Sequence, residues 1–229
     1  MTRNTHFRPA LFTFLRDLRE NNSRDWFRAN RDRYEADVKG PALQFIVDFG
    51  PHLRRISPHF RADPRPVGGS LFRIYRDTRF SRDKSPYKTH AGLHFRHEAG
   101  KDAYTPGFYL HLEPRAVFVG IGIWHPDGAT LKRIRGAIAA DPERWLRARD
   151  DRRLRRRYDL VGDRLQRPPR GFDPDERVRE DLLWKDFTAV VHLSQKAATA
   201  PGFLAEFAVI CRDGAPYMRF LCEALGLPF

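Results

Sequence analysis

Gly107-Phe108-Tyr109-Leu110-His111-Leu112-Glu113-Pro114-Arg115-Ala116-Val117-Phe118-Val119-Gly120-Ile121-Gly122-Ile123 alternates with period two on both sides of a single proline. Side chains of a strand point to opposite faces in turn. Phe108, Leu110 and Leu112 therefore share one face, and Tyr109, His111 and Glu113 share the other. Val117, Val119, Ile121 and Ile123 form the most β-prone run of the chain. With Pro114-Arg115 as a two-residue link, Glu113 faces Ala116, His111 faces Phe118 and Tyr109 faces Gly120. The expectation is an antiparallel meander with one face on a core and one more open.

The pattern extends outward from this hairpin. Phe72 and Ile74, then Ala91, Leu93 and Phe95, read as inward residues of neighbouring strands. Arg73 and Tyr75, and His90, Gly92, His94 and Arg96, then join the open face. Phe187–Leu193 reads as a further strand. Upstream the period is helical: Leu11, Phe14, Leu15 and Leu18 make one stripe over 9–20, and Asn22 or Ser23 caps a second helix running to about Val38. Pro41 suits the first turn of a third, with Leu43, Phe45, Ile46, Phe49 and Leu53 inward. Helices return over 128–140 and from Asp141-Pro142. An Arg-rich helix or turn spans 150–158, a rigid loop 167–172, and a helix runs from Asp173-Pro174 to about Leu183. Two closing helices cover about 201–212 and 215–225. No repeat or low-complexity linker divides the 229 residues. The reading is one α+β domain over 1–229: N-terminal helices 9–60, sheet 70–124, helical region 128–185, strand 187–193 and C-terminal helices 200–226. An antiparallel sheet of about five strands carries helices from both termini on its apolar face.

The hydrophobic content of 41%, with 18 Phe, excludes a disordered chain. No window offers the ~18 uninterrupted apolar residues of a membrane span. Cys211 and Cys222 lie in apolar, helix-like sequence and read as buried thiols of a cytoplasmic protein. Net charge is +13, and residues 54–101 alone hold twelve basic and four acidic groups, a net +8. That concentrated field suits phosphate, nucleic-acid or acidic partners.

The open face collects Arg73, Tyr75, His90, His94, Tyr109, His111 and Glu113, with glycines at 120 and 122 leaving room beside them. An ordinary solvated face would carry Thr, Lys, Glu and Ser instead. Between two of its strands, residues 76–89 supply five cations and two aromatics. Arg76, Arg79, Lys84 and Lys88 are placed to hold a phosphate or carboxylate. Asp77 and Asp83 are equally suited to neutralise them in a structural network. No glycine-rich phosphate loop is present, which argues against nucleotide triphosphate chemistry.

The segments Asn22-Ser23-Arg24-Asp25-Trp26-Phe27, Phe72-Arg73-Ile74-Tyr75-Arg76-Asp77-Thr78-Arg79-Phe80-Ser81 and Asp83-Lys84-Ser85-Pro86-Tyr87-Lys88-Thr89-His90 resemble a bacterial and fungal family, domain of unknown function family 2461. So do Gly107 to Pro114, Gly120-Ile121-Gly122-Ile123-Trp124 and the 167–172 segment. The resemblance implies a single α+β domain and brings no assigned activity, cofactor or mechanism.

Two function classes follow. One is recognition of an anionic or phosphorylated ligand on the open face, with Arg73, Tyr75, Arg76, Arg79, Lys84, Lys88, His90, Tyr109 and Trp124 as binding residues. Its catalytic form uses His111 and Glu113 as a base and its orienter. A metal-dependent variant would recruit His90, His111, Glu113 and His125, although no ligand-spacing motif marks a metal site. The other class is a non-catalytic nucleic-acid or protein-binding module using the arginines at 152, 153, 155, 156 and 157. The residues name no substrate, cofactor or oligomeric state.

Overall fold

A computed structural model describes residues 6–100, 105–167 and 169–229. Lys101 and Pro168, which entered the sequence reading, lie outside the described residues.

Four strands follow from alternation and one does not. β1 (Ala91–Arg96), β2 (Gly107–Glu113), β3 (Ala116–Ile123), β4 (Asp159–Val161) and β5 (Phe187–Leu193) form one antiparallel sheet in the order β1-β2-β3-β5-β4. The β2–β3 register pairs Glu113 with Ala116, His111 with Phe118 and Tyr109 with Gly120. Pro114 sets the first turn position, and Arg115 takes a positive φ of 72°. That is the combination a type II turn uses. The inward rows Ala91, Leu93, Phe95, then Phe108, Leu110, Leu112, then Val117, Val119, Ile121, Ile123 are all buried. Gly122 has φ +112°, and a Cβ there would sit 2.0 Å from the Phe187 carbonyl oxygen, so only glycine fits this crossing of β3 and β5.

The expected strand at Phe72–Ile74 is absent as a ladder. Leu71 makes a single bridge to Leu93 and Tyr75 a single bridge to Tyr87, and the backbone between them leaves strict alternation. Leu71 and Ile74 are the inward residues. Phe72 instead lies over the polar face, 5.9 Å from the Tyr109 ring and 5.8 Å from that of His94. The fifth strand is β4, three residues long and therefore too short to show a period.

The helices form where the apolar stripes are. α1 (Pro9–Glu20) buries Leu11, Phe14, Leu15 and Leu18. α2 (Arg24–Ala29) starts on Ser23, whose hydroxyl accepts from the Trp26 amide at 3.3 Å. α3 (Arg31–Tyr34) runs without a break through a π-helical turn, Glu35–Lys39, into α4 (Gly40–Ile56). Pro41 has no N–H and its ring crowds the preceding turn; the wider turn accommodates both, so one bent helix replaces two separate ones. α5 (Gly128–Ala140), α6 (Pro142–Arg149) and α7 (Arg152–Arg157) follow β3, each capped by an aspartate. Asp173-Pro174 does not open an α-helix; Asp175 caps a 3₁₀ helix, Glu176–Leu183. After β5 come α8 (Gln195–Thr199), α9 (Phe203–Asp213) and α10 (Ala215–Ala224).

α1, α8, α9 and α10 pack on the apolar face of β2 and β3, and α4 packs on α9. Phe45, Phe49, Phe95 and Phe207 interlock between these layers with centroids 4.7–6.3 Å apart. Each buried phenylalanine contributes roughly 1.5–3 kcal/mol. One face of the sheet is thus committed to the core, which leaves the other for the polar residues.

Candidate functional site

Strand parity gathers the histidines. Gly92 faces His111 across β1–β2, and the same register continued one step before Ala91 sets His90 beside Glu113. The rings of His90 and His111 are 4.5 Å apart, and Phe118 stacks on His111 at 4.6 Å from the other side. Tyr109 Oη lies 2.9 Å from His111 Nδ1, and His111 Nε2 lies 3.1 Å from Glu113 Oε2. A carboxylate only accepts, so Nε2–H donates to Glu113 and Nδ1 accepts from the Tyr109 hydroxyl. Thr89 Oγ1 donates to the second oxygen of Glu113 at 3.3 Å.

Burial dominates the electrostatics here. It pulls His90 down to about 4, assisted by the neighbouring His111. It also lowers His111, against the opposing pull of Glu113. Burial raises the Tyr109 hydroxyl well above its ordinary value. The cluster is neutral imidazoles beside one carboxylate. Both ring nitrogens of His111 are engaged inside it, so neither faces a ligand in this arrangement.

A second concavity lies beside the basic loop. Asn22 holds the loop against α2 through two hydrogen bonds to the backbone of Tyr87: its Nδ2 donates to the carbonyl at 3.0 Å and its Oδ1 accepts from the amide at 3.1 Å. Arg76 and Lys88 amides donate to the Pro86 and Ile74 carbonyls at 2.9 and 2.7 Å, so the two arms of the loop run side by side. Asp83 accepts from the Ser85 amide at 2.9 Å and its hydroxyl at 2.6 Å and pairs with Arg76. These donors hold the Asp83 carboxyl far below the usual range. Lys84 Nζ donates to the Thr78 carbonyl at 3.0 Å.

Between this loop and α2 is a cleft of about 550 Å³ lined by Arg24, Phe27, Arg28, Arg31, Tyr75, Arg76, Thr78, Lys84, Pro86 and Tyr87. Five of the ten are cationic and none is acidic. Phe27 stacks on Tyr87 at 4.2 Å, and Tyr75, half exposed, lies 5.4 Å from Tyr87. The cleft has an aromatic floor and cationic walls.

The structure thus divides the expected site in two. Tyr75, Arg76 and Lys84 line the cleft. His90, Tyr109, His111 and Glu113 form the sheet cluster. Lys88 lies between them, donating to the Arg73 carbonyl at 2.8 Å with its ammonium 5.6 Å from the Phe72 ring. Arg73 is exposed. Arg79 is paired with Asp77 at 2.7 Å beside the exposed Phe80 and lines neither site. Trp124 follows Ile123, about 23 Å of strand from the Ala116 end where Glu113 lies. It packs on His125, whose Nδ1 is 3.0 Å from Asp186. Neither joins the cluster. Arg24, Arg28 and Arg31 were missed. Their i, i+4, i+7 spacing marks one helical face and was readable, but nothing local says that this face meets the loop.

Among the described residues no helix is long and apolar enough to cross a membrane. A family model described as "Conserved hypothetical protein (DUF2461)" matches residues 10–220. No curated protein and no solved structure matches.

Proposed function

The chain belongs to the DUF2461 family of conserved hypothetical proteins, and from that premise we propose that it binds an anionic, phosphate-bearing small molecule in the cleft between α2 and the 76–89 loop. The carrying observation is the lining: five cationic side chains, no carboxylate, and an aromatic floor. Arg24, Arg28 and Arg31 bring like charges together on this wall, offset only in part by Asp25, 3.6 Å from Arg28. A bound anion reverses the sign of that interaction. Arginine forks suit the geometry of phosphate oxygens, and Tyr75 offers an exposed ring on which a flat group stacks. The volume is that of a small-molecule pocket. Buried, free Cys211 and Cys222, the latter pushed up to about 12 by burial, support a cytoplasmic location.

A thermal-shift panel of phosphate-bearing metabolites tests this reading. Stabilisation by members of the panel, reduced in Arg24→Ala and in Arg31→Ala, is the expected result. A panel without any shift, or shifts unchanged in both variants, contradicts it.

One observation favours a second reading. Arg147, Arg153, Arg212 and Arg219 line a depression of about 390 Å³ against α10, where the Arg144–Glu223 pair supplies the one carboxylate. Arg152, Arg155 and Arg156 of α7 are exposed nearby in sequence, while Arg157 is tied to Asp213 at 2.8 Å. This surface suits a nucleic-acid backbone. Binding of that kind weakens steeply with salt, and the small-ligand cleft responds much less.

A further inference from the structure

The sheet cluster brings together three side chains of the types that ligate transition metals. His111 and Glu113 are two residues apart on β2 and so share a face. The β1–β2 register brings His90 onto that face beside them. One ring nitrogen from each histidine and one Glu113 oxygen all lie within 4.8 Å of one another. The 3.1 Å between His111 Nε2 and Glu113 Oε2 falls within the roughly 3.0–3.4 Å that separates two ligands on one octahedral or tetrahedral ion with bonds of ~2.1 Å. We infer that His90, His111 and Glu113 bind one divalent first-row transition-metal ion, with exogenous oxygen ligands completing its shell. Two imidazoles and one carboxylate suit zinc, iron, cobalt or nickel, whereas magnesium and calcium prefer all-oxygen cages.

The surroundings are those of ligands held in place. Tyr109 contacts the far nitrogen of His111, and Thr89 contacts the far oxygen of Glu113. Partners of this type fix the orientation of metal ligands. The proton balance closes: the ion takes the Nε2 lone pair, the proton of Nε2 is relocated to Nδ1, and Nδ1–H then donates to Tyr109 Oη. No net proton leaves the ring. Glu113 exchanges the Nε2–H bond for the ion.

A comparison within the molecule sharpens the point. His59 and Glu98 approach to 2.8 Å, and His97 stacks on His59. That pair has no third ligand. Among the described residues, His90, His111 and Glu113 are the group that has one.

Cobalt(II) titration of the full chain, purified without a histidine tag and stripped with chelator, tests the inference through the visible d–d absorption of the bound ion. The expected result is saturation at one ion per chain, displacement by zinc, and affinity weakened more than about tenfold in His90→Ala and in Glu113→Gln. Glu113→Gln keeps the size of the side chain, and circular dichroism of each variant confirms folding. His59→Ala and the cleft variant Arg24→Ala/Arg31→Ala should bind cobalt like wild type, which separates this inference from the anion reading. Absence of one-to-one binding in the wild type overturns it. So does equal binding by wild type and Glu113→Gln.

Discussion

Gly92 shows how one missing methyl group shapes the polar face. A Cβ at this position would lie 2.6 Å from Tyr109 Oη and 3.1 Å from the Phe72 ring. Tyr109 crosses β1 at this glycine, and Phe72 keeps it from swinging away. Gly92→Ala must therefore push Tyr109 off its contact with His111. We expect a loss of about 1–3 kcal/mol in a urea titration, the range for inserting a methyl group into packed surroundings. Gly128→Ala, with open space around its Cβ, is the control and should be far milder. Equal stability of Gly92→Ala and wild type would mean that Tyr109 is not held there.

At the scale of elements, the join between α2 and the loop is what turns a charged segment into a cleft wall. Asn22 supplies both hydrogen bonds to the Tyr87 backbone across 65 residues of chain. Asn22→Ala removes both and costs about 1–2 kcal/mol locally. Amide exchange at Tyr87 should accelerate by roughly five- to thirtyfold while exchange in β2 and β3 stays slow. Unchanged exchange at Tyr87 would show the loop to be held by other contacts. Legibility in the sequence divides along the same lines. Period-two alternation on either side of Pro114-Arg115 settled the β2–β3 register, and parity alone then put Tyr109, His111 and Glu113 on one face. Phe72 defeated the same reasoning, because between the Leu71 and Tyr75 bridges the backbone follows no ladder and parity has no meaning. β4 was invisible for want of length. The arginine stripe on α2 and α3 was readable as a stripe. What it faces depends on a side-chain contact between distant segments, and no local pattern encodes that.

At the scale of the whole molecule, one sheet face builds the core and the other holds His90, His94 and His111 where burial disfavours their charged forms. Burial brings His90 and His94 both to about 4, whereas an unfolded imidazole takes up its proton near pH ~6.5. Between those values the unfolded chain binds more protons than the folded one. Stability is therefore full above about pH 6.5 and falls as acid is added, at up to ~1.4 kcal/mol per pH unit for each such histidine. It levels off below about pH 4, where the folded imidazoles protonate too. Urea midpoints should drop between pH 7 and pH 5, and His94→Gln should make the dependence shallower. A midpoint that does not change over this window would contradict the buried, neutral state of the polar face.

The charge of the molecule ties this frame to its proposed ligand. The net +8 of residues 54–101 is not spread evenly. Arg79 and Arg76 are matched by Asp77 and Asp83, and where the loop meets the N-terminal helices Arg28 is paired with Asp25 at 3.6 Å, so Arg24, Arg31 and Lys84 supply the rest of the positive charge of the cleft. Calorimetric titration with inorganic pyrophosphate, in about 0.15 M salt, measures that field directly. Saturable one-to-one binding by the wild type is predicted, weakened roughly tenfold or more in Arg24→Ala/Arg31→Ala, as the loss of charge-assisted hydrogen bonds requires. No binding up to about 10 mM pyrophosphate, or equal affinity in the double variant, would contradict the assignment of the cleft as an anion site.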